Sequence, residues 1–441
     1  MMFRFIFTSL LFVLFGAQGA FAQLLPRGLG AVYLNDREYS SNTPYYDAAG
    51  GSSTLSERFD MDFKGDFLGT GQAGTDLKRL YDNIKAYDNT RGFSGGSLAD
   101  QLELGSQRAD VKTSLSARVI GFGYGYSDKW TFLLGLPVMS ASLDADINVF
   151  GTNNALAIKN RLGDAAFDEL KSGLDEASRV NKTTILDKIQ NDYRYKDIHH
   201  WEYTGLGDVL VGGRTGWDFA NKSGQGYSLL LTTYLSLPTG PKYDPDALAQ
   251  MPLSRGYYAI DVTTDHKWQW QYFNLGSELG GALALPEKTE RRVPEGQEVL
   301  VSADRKVNVT WAPGPETWVS AYGGVGTSAY QSRYKIGWNE DFPDQFSGPI
   351  AGDYEAMGRD MSSREIYHEI SFTLSTVDYY KSQKFFMPFI LTATAHESVA
   401  GRRTLSKKFF ELTFMTFFTT PSRQDAPAAG SSYAMNESKR K

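Results

Sequence analysis

The fold is decided by the stretch GLGDVLVGGRTGWDF–ANKSGQ–GYSLLLTTYLSLPTG, which occupies residues 205–240. Within 227–237 the odd-numbered side chains are mostly apolar and the even-numbered ones mostly polar, with Leu230 as the single misfit. Such period-two alternation is typical of a β-strand with one apolar face, and residues 220–225 are typical of a turn. The stretch therefore predicts a β-hairpin, and similar units recur along the chain.

Residues 1–22 have the pattern of a secretory signal peptide. Arg4 supplies a positive charge, residues 5–15 are apolar, and Ala20-Phe21-Ala22 forms a small-x-small cleavage site before Gln23. The sequence contains no Cys, which excludes a lipoprotein anchor, disulfides and thiolate metal sites. An exported protein is expected.

The composition combines 14% aromatic residues and 44 glycines with a mildly polar mean hydropathy of −0.36. After the signal peptide, no apolar run approaches the roughly 20 residues that a membrane helix requires. A transmembrane β-barrel reconciles these properties, because each strand needs only one apolar face. The net charge of −6 argues against a nucleic-acid partner.

The alternating segments predict an all-β fold, a transmembrane antiparallel up-and-down β-barrel of about 12 strands over residues 55–419. The predicted strands are 56–64, 112–126, 130–142, 205–219, 227–237, 257–268, 272–285, 301–311, 317–331, 364–377, 384–398 and 405–418. Residues 23–54 are expected to form an N-terminal arm or plug, and the count becomes about 14 if they contribute two strands. Helical spacing at 75–88 and within 145–204 predicts short helices in extracellular loops. Residues 420–441 are expected to be a disordered periplasmic tail.

The predicted connections alternate in length. The short ones are 127–129, 220–225, 269–271, 313–316 and 379–383, and the long ones are 145–204, 241–255, 286–300 and 332–363. Outer-membrane barrels have short periplasmic turns and long extracellular loops. The alternation therefore predicts a barrel in the outer membrane of a Gram-negative cell. The rival fold is a periplasmic β-sandwich or solenoid, whose turns would not alternate so regularly.

Several aromatic residues lie beside the predicted short turns: Trp130, Trp217, Tyr227, Trp268, Trp311, Trp318 and Tyr380. Aromatic girdles at the membrane interface belong to the outward face of a membrane barrel. Ordinary aromatic enrichment in strands explains some of these positions but not their clustering. A girdle at the periplasmic end is expected.

Alternation also assigns side chains to the interior of the barrel. The expected lumen-lining residues, and so the expected solute pathway, are Asp208, Arg214, Tyr234, Asp261, Glu278, Asp304, Lys306, Tyr322, Glu369 and His396. Charges are tolerated there, whereas Lys or Arg at the lipid midplane costs about 2–4 kcal/mol. The alternative for each residue is structural, an ion-pair ladder that fills and stiffens the lumen.

No catalytic residue, metal site or cofactor is predicted. His199 and His200 adjoin in a loop without a third ligand, and His266 and His368 fall on outward faces. A barrel phospholipase would need an outward Ser and His oriented by a third polar group, and the sequence offers no such trio. An enzyme is not expected.

Three motifs carry a resemblance to a known family: FGYGYSDKWTFLLGLPV at Phe122–Val138, GLGDV at Gly205–Val209 and LSLPTG at Leu235–Gly240. They resemble the phenol-degradation MetA-pathway family, which is grouped with long-chain fatty-acid transporter-like outer-membrane barrels. The resemblance is clear over residues 112–240. It implies a passive channel for small hydrophobic or aromatic compounds.

Two functions remain open from the sequence. The first is a monomeric barrel, embedded in outer-membrane lipid, through which a small hydrophobic solute diffuses. The second is a structural or surface-interaction barrel that binds a partner through its long extracellular loops. An open or a sealed lumen would distinguish them.

Overall fold

The structure is a computed structural model that describes residues 24–39, 44–54, 56–70, 75–91, 97–163, 166–220, 225–248, 250–251, 253–296, 300–359 and 361–419. The predicted signal peptide and the predicted C-terminal tail lie outside the described residues.

Twelve strands form a closed antiparallel barrel in which each strand pairs with its neighbours in the chain. They are β1 Leu29–Tyr39, β2 Glu103–Ser127, β3 Trp130–Phe150, β4 Val209–Ala220, β5 Gly226–Leu237, β6 Ala259–Trp270, β7 Phe273–Ala284, β8 Glu316–Gly326, β9 Tyr330–Asp341, β10 Ser363–Ser375, β11 Phe389–Arg402 and β12 Lys408–Thr419. β12 closes the barrel by pairing with β1 in a register that joins Leu29 to Thr419 and Tyr39 to Phe409. The predicted up-and-down barrel is confirmed.

Two of the predicted strands are wrong, and two barrel strands were not predicted. Residues 56–64 form a 3-10 turn, Ser56–Phe59, and a short strand, Met61–Lys64, that pairs with the far end of β2. Residues 301–311 contain a 3-10 turn, Ala303–Arg305, and most of the strand Lys306–Ala312, which belongs to a separate small sheet. β1 lies within the segment expected to be an arm or plug, and β9, apart from its first two residues, lies within a predicted long connection. The strand count is right because these errors compensate.

The outward face of the barrel carries large apolar side chains that nothing covers. Phe132 is 57% exposed, Leu275 52%, Phe372 51% and Phe410 56%, each on a different strand. Burying such a side chain is worth about 1.5–3 kcal/mol relative to leaving it in water. This face therefore suits hydrocarbon better than solvent.

The aromatic girdle is present in part. Trp130, Trp217 and Trp268 are more than one-third exposed and lie near the ends of strands that meet at short turns. Trp318 was assigned to the outward face, but it shares the inward face of β8 with the buried Ser320 and Tyr322. Trp311 is buried in the small sheet. The predicted turn at 313–316, which placed both residues in the girdle, lies at the opposite, long-loop end.

One end of the barrel carries the long loops. β2 and β3 are 25 and 21 residues long, against 11 to 14 in the other barrel strands. At about 3.3 Å per residue, ten extra residues extend a strand by roughly 30 Å. This projecting hairpin also pairs with His200–Leu206.

Short helices pack at the projecting hairpin. They are α1 Gly65–Gly69, α2 Thr75–Arg91, α3 Leu98–Gln101, α4 Ala155–Leu162, α5 Asp168–Ala177 and α6 Lys182–Asp187, the last continued by a π-turn at Lys188–Asp192. Ile84 of α2 and Leu170 and Leu174 of α5 are fully buried in one apolar cluster. Their spacing of three and four residues predicted these helices, which are confirmed. In the described part of the chain, no helix combines the length and the apolar character that crossing a membrane would need.

The remaining elements are small. The strands Glu287–Arg292, Lys306–Ala312 and Gln345–Ser347 form a three-stranded sheet, beside which lies α7 Tyr354–Arg359. A second three-stranded sheet joins Pro44–Tyr46, Ser52–Thr54 and Thr404–Leu405. Ala303–Arg305 is a 3-10 turn, and α8 Val377–Lys381 lies in the connection between β10 and β11. The connections of β2 to β3, β4 to β5, β6 to β7 and β8 to β9 are short and lie at the end opposite the long loops. The connection of β11 to β12, residues 403–407, is also short but lies at the long-loop end.

Candidate functional site: the interior of the barrel

Most of the predicted lumen residues lie in the barrel interior. Asp208 immediately precedes β4, and the others are inward-facing strand residues: Arg214, Tyr234, Asp261, Glu278, Tyr322, Glu369 and His396. They share the inward face because the side chains of a strand point to opposite faces at every step. Whether a solute passes along them is a separate question.

Asp304 and Lys306 were assigned to the lumen incorrectly. Asp304 lies in the 3-10 turn, and Lys306 begins a strand of the small loop sheet, so neither belongs to the barrel wall. The Lys306 ammonium donates to Asp246 at 2.8 Å, and this hydrogen bond raises the pKa of Lys306. Burial alone would raise the pKa of Asp246, but the hydrogen bonds from Lys306 and Arg292 lower it. These residues hold loops together.

Asp208 anchors the loop between β5 and β6 inside the barrel mouth. Its Oδ1 accepts hydrogen bonds from Ser254 Oγ at 2.7 Å and from the backbone N–H of Gly240 at 3.0 Å. Its Oδ2 accepts from the backbone N–H of Arg255 at 2.7 Å. Met251 and Leu253 of the same loop are buried against inward residues of β2 and β3. The loop therefore folds into the barrel rather than away from it.

Arg255 of that loop is one of the interior residues that were not predicted from the sequence. Its guanidinium donates to Asp261 at 2.8 Å and to Glu316 at 2.6 Å, and all three side chains are at least nine-tenths buried. Residues 238–258 show no periodicity that could place Arg255 opposite β6 and β8. The one available signal was Asp261, an expected inward acid without an assigned cation, because Glu316 lay in a predicted turn.

A second interior network joins β7, β9, β10 and β11. Lys335 contacts Glu278 at 2.5 Å and Glu369 at 3.8 Å. His396 is within 3.0 Å of Glu369 and 3.4 Å of Glu365. These four strands are therefore tied by charged side chains as well as by backbone pairing.

Aromatic rings stack at the same level of the lumen. The ring centroids of His396 lie 4.3 Å from Phe409 and 4.7 Å from Tyr367, and Tyr39 lies 5.0 Å from Phe409. The Arg37 guanidinium lies over the Phe409 ring at 4.5 Å. The rings form a continuous column across β1, β12, β11 and β10.

Inward tyrosine rings fill the space above inward glycines of the next strand. A Cβ added at Gly121 would overlap the ring of Tyr33, and one added at Gly276 would overlap the ring of Tyr322. The same relation holds for Tyr234 with Gly212 and Tyr367 with Gly337. The rings therefore cover the barrel wall where it has no side chain of its own.

Residues before β1 enter the short-turn end of the barrel. The backbone N–H of Leu25 donates to Thr131 Oγ1 at 2.9 Å, and the side chain is buried with Tyr33, Leu133 and Met415. Part of the predicted arm thus lies in the interior, and another part is a barrel strand.

Arg214 differs from the paired interior cations. It is 4% exposed, and its Nε donates to Thr232 Oγ1 at 2.8 Å. Its Nη1 is buried and has no hydrogen-bond partner among the described residues. Across those residues, no group of three or more His, Asp or Glu side chains is placed to hold a metal ion.

No protein-family model and no curated protein matches this sequence. Among solved structures, the COG4313 outer membrane channel from Pseudomonas putida F1 is 9% identical, with a TM-score of 0.47 and coverage of 90% of this chain and 97% of that chain. The translocator domain of the autotransporter NalP from Neisseria meningitidis is 8% identical, with a TM-score of 0.34 and coverage of 91% and 92%. A Pseudomonas aeruginosa FadL homologue is 9% identical, with a TM-score of 0.28 and coverage of 91% and 96%. Similarity at this level identifies neither a family nor a function for this chain.

Proposed function

We propose that the chain is an outer-membrane channel that allows passive uptake of small, hydrophobic or aromatic compounds, without catalysis. The observation that carries this proposal is a closed barrel with an apolar, exposed outer face and a charged interior. An apolar outer face is stable in lipid, and a closed sheet leaves no unpaired strand edge there. A polar interior is the arrangement expected when the lumen meets water.

In this proposal the barrel is a monomer in outer-membrane lipid, exported by a cleaved signal peptide. Its short turns face the periplasm and its long loops face the outside, as is usual in such barrels. The apolar face of each barrel strand supplies the lipid contact.

The lumen contents support a gated, narrow route. A barrel of about 12 strands is wider than one of about 8 strands, which side chains nearly fill, and narrower than an open porin. The loop between β5 and β6 occupies part of this space and is held by Asp208 and Arg255. The column of Tyr39, Phe409, His396 and Tyr367 contributes aromatic rings to the interior at this level. Displacement of the loop is therefore the step that opens the channel.

Uptake by a porin-deficient Gram-negative host that expresses the full chain tests the proposal. We expect entry of a labelled monocyclic aromatic solute above that of the empty host, and faster entry with Asp208→Ala, which releases the loop. Asp304→Ala is the matched control, because Asp304 lies outside the barrel wall, and it should leave the rate unchanged. No uptake by either the wild type or Asp208→Ala, with both folded in the membrane, would contradict a channel.

A structural or surface-interaction barrel is the second candidate. The burial and pairing of interior groups such as Arg255, Asp261 and Glu316 favour it, because they are compatible with a sealed lumen. It predicts no uptake by any variant, together with partner binding that is lost when residues 155–177 are removed.

A further inference from the structure

The geometry points to a carboxylate-binding subsite at Arg214, inside the short-turn half of the barrel, for small carboxylates with an apolar or aromatic body. This inference rests on the channel function proposed above and narrows its substrate class. Its basis is that Arg214 is a buried cation with no carboxylate in contact among the described residues.

The Arg214 guanidinium has hydrogen-bond donors that the described residues do not use. A guanidinium carries five N–H donors in a planar fork. The one hydrogen bond formed by Nε to Thr232 leaves the buried Nη1 without a partner in the described structure. A buried charge without compensation is costly to a fold. A ligand that supplies the missing hydrogen-bond acceptors would account for a buried guanidinium at this position.

Several interior cations elsewhere in the barrel have partners within the protein. Four of them contact a carboxylate directly: the pairs are Arg37–Glu411, Arg255–Asp261, Lys335–Glu278 and Lys407–Glu365. Another, Arg333, lies over the ring of Tyr322 at 5.1 Å. The fold can therefore place an acid beside an interior cation, and at Arg214 it does not.

The acids that act electrostatically on Arg214 are already engaged. These are Asp265 and Glu278. Asp265 Oδ1 accepts a hydrogen bond from the Tyr322 hydroxyl at 2.8 Å, and Glu278 Oε2 accepts one from Lys335 at 2.5 Å. They moderate the charge at a distance, and in the described structure neither accepts a hydrogen bond from the Arg214 guanidinium. A carboxylate that presents two oxygens side by side matches such a fork.

The surroundings of Arg214 suit an apolar ligand body. Tyr33 and Tyr234 are the tyrosines that act electrostatically on it. Both belong to an apolar cluster with Leu25 and Leu133. In strand register Arg214 is opposite Thr131, whose hydroxyl holds the backbone of Leu25. Leu25 precedes β1, so the segment that packs beside Thr131 can move without breaking a barrel strand pair.

Titration of the purified full chain in detergent tests the subsite, with benzoate as the probe and benzamide as its neutral counterpart. We expect benzoate to bind the wild type about tenfold more tightly than benzamide, because charge-assisted hydrogen bonds are the stronger kind. Arg214→Gln should lower benzoate affinity about tenfold and leave benzamide affinity unchanged. The gel mobility of the folded barrel checks that each variant folds.

Arg333→Gln is the matched control, because it removes another inward cation. It should retain most of the preference for benzoate. Equal affinity of benzoate for the wild type and Arg214→Gln, or an equal loss in Arg333→Gln, would overturn the subsite. Conductance of the same preparations separates the two proposals. A barrel that conducts without an Arg214-dependent preference contradicts the subsite alone, and one that binds benzoate through Arg214 but carries no current contradicts the channel alone.

Discussion

Replacement of Arg255 by Met should destabilise the protein far more than a single exposed ion pair could explain. The guanidinium is 2% exposed and lies between Asp261 at 2.8 Å and Glu316 at 2.6 Å. Without it, two buried carboxylates face each other without a cation. Breaking a buried pair from one side costs about 3–5 kcal/mol. Urea unfolding of the refolded barrel in detergent should show a loss of that size in the free energy of unfolding.

Two further variants make this prediction specific. Arg108→Met removes a guanidinium that contacts Asp62 at the same 2.8 Å, but at the projecting, solvent-exposed end of β2, where ion pairs contribute little. Its effect should lie within experimental error. The triple change Arg255→Met, Asp261→Asn and Glu316→Gln removes all three charges and should recover most of the loss. An Arg255→Met barrel as stable as the wild type would refute the reasoning that this loop is fastened inside the mouth.

Two other perturbations follow from the structure. Gly121→Ala should lower the free energy of unfolding by about 1–3 kcal/mol, because the new Cβ overlaps the Tyr33 ring. Gly323→Ala, whose new Cβ has nothing within 4 Å, should be near neutral. Equal effects of the two changes in urea unfolding would contradict the packing of Tyr33. Burial raises the pKa of Asp344 to about 6, although hydrogen bonds from Gly314 and Trp311 oppose the rise. Because the folded-state pKa lies above that of the unfolded chain, this residue favours folding at low pH, and its contribution is lost as pH rises from about 4 through 6. Asp344→Asn should therefore flatten the pH dependence of protease resistance in the small loop sheet, and an unchanged profile would contradict the burial of Asp344.

Sequence alternation predicted the barrel and the inward face well, but it could not tell where a strand pairs. Residues 301–311 alternate as a barrel strand does, yet they pair within a loop sheet that buries Val309 and Trp311. β9 also alternates, with Tyr334, Ile336 and Trp338 outward, but it was included in a long connection. Alternation of apolar and polar residues indicates that one face of a strand contacts an apolar environment. That environment can be lipid or the core of a loop domain.

For an interior contact between a strand residue and a loop residue, only the strand residue was predictable from the sequence. Asp208, Asp261 and Glu278 follow from strand periodicity, whereas Arg255 reaches the lumen from a loop without a repeating pattern. Whether Nη1 of Arg214 finds a partner depends on which side chains approach it from other strands. The distances between side chains on different strands are set by strand register and barrel shear, and the residue pattern of a single strand contains neither.

Single-channel recording in planar lipid bilayers tests the central claim most directly. Purified wild-type barrel should insert and produce discrete current steps, and Asp208→Ala, in which the loop between β5 and β6 is released, should give larger or more frequent ones. Folded, inserted barrel that carries no current in either form would show that the lumen is sealed, and would contradict the proposed channel.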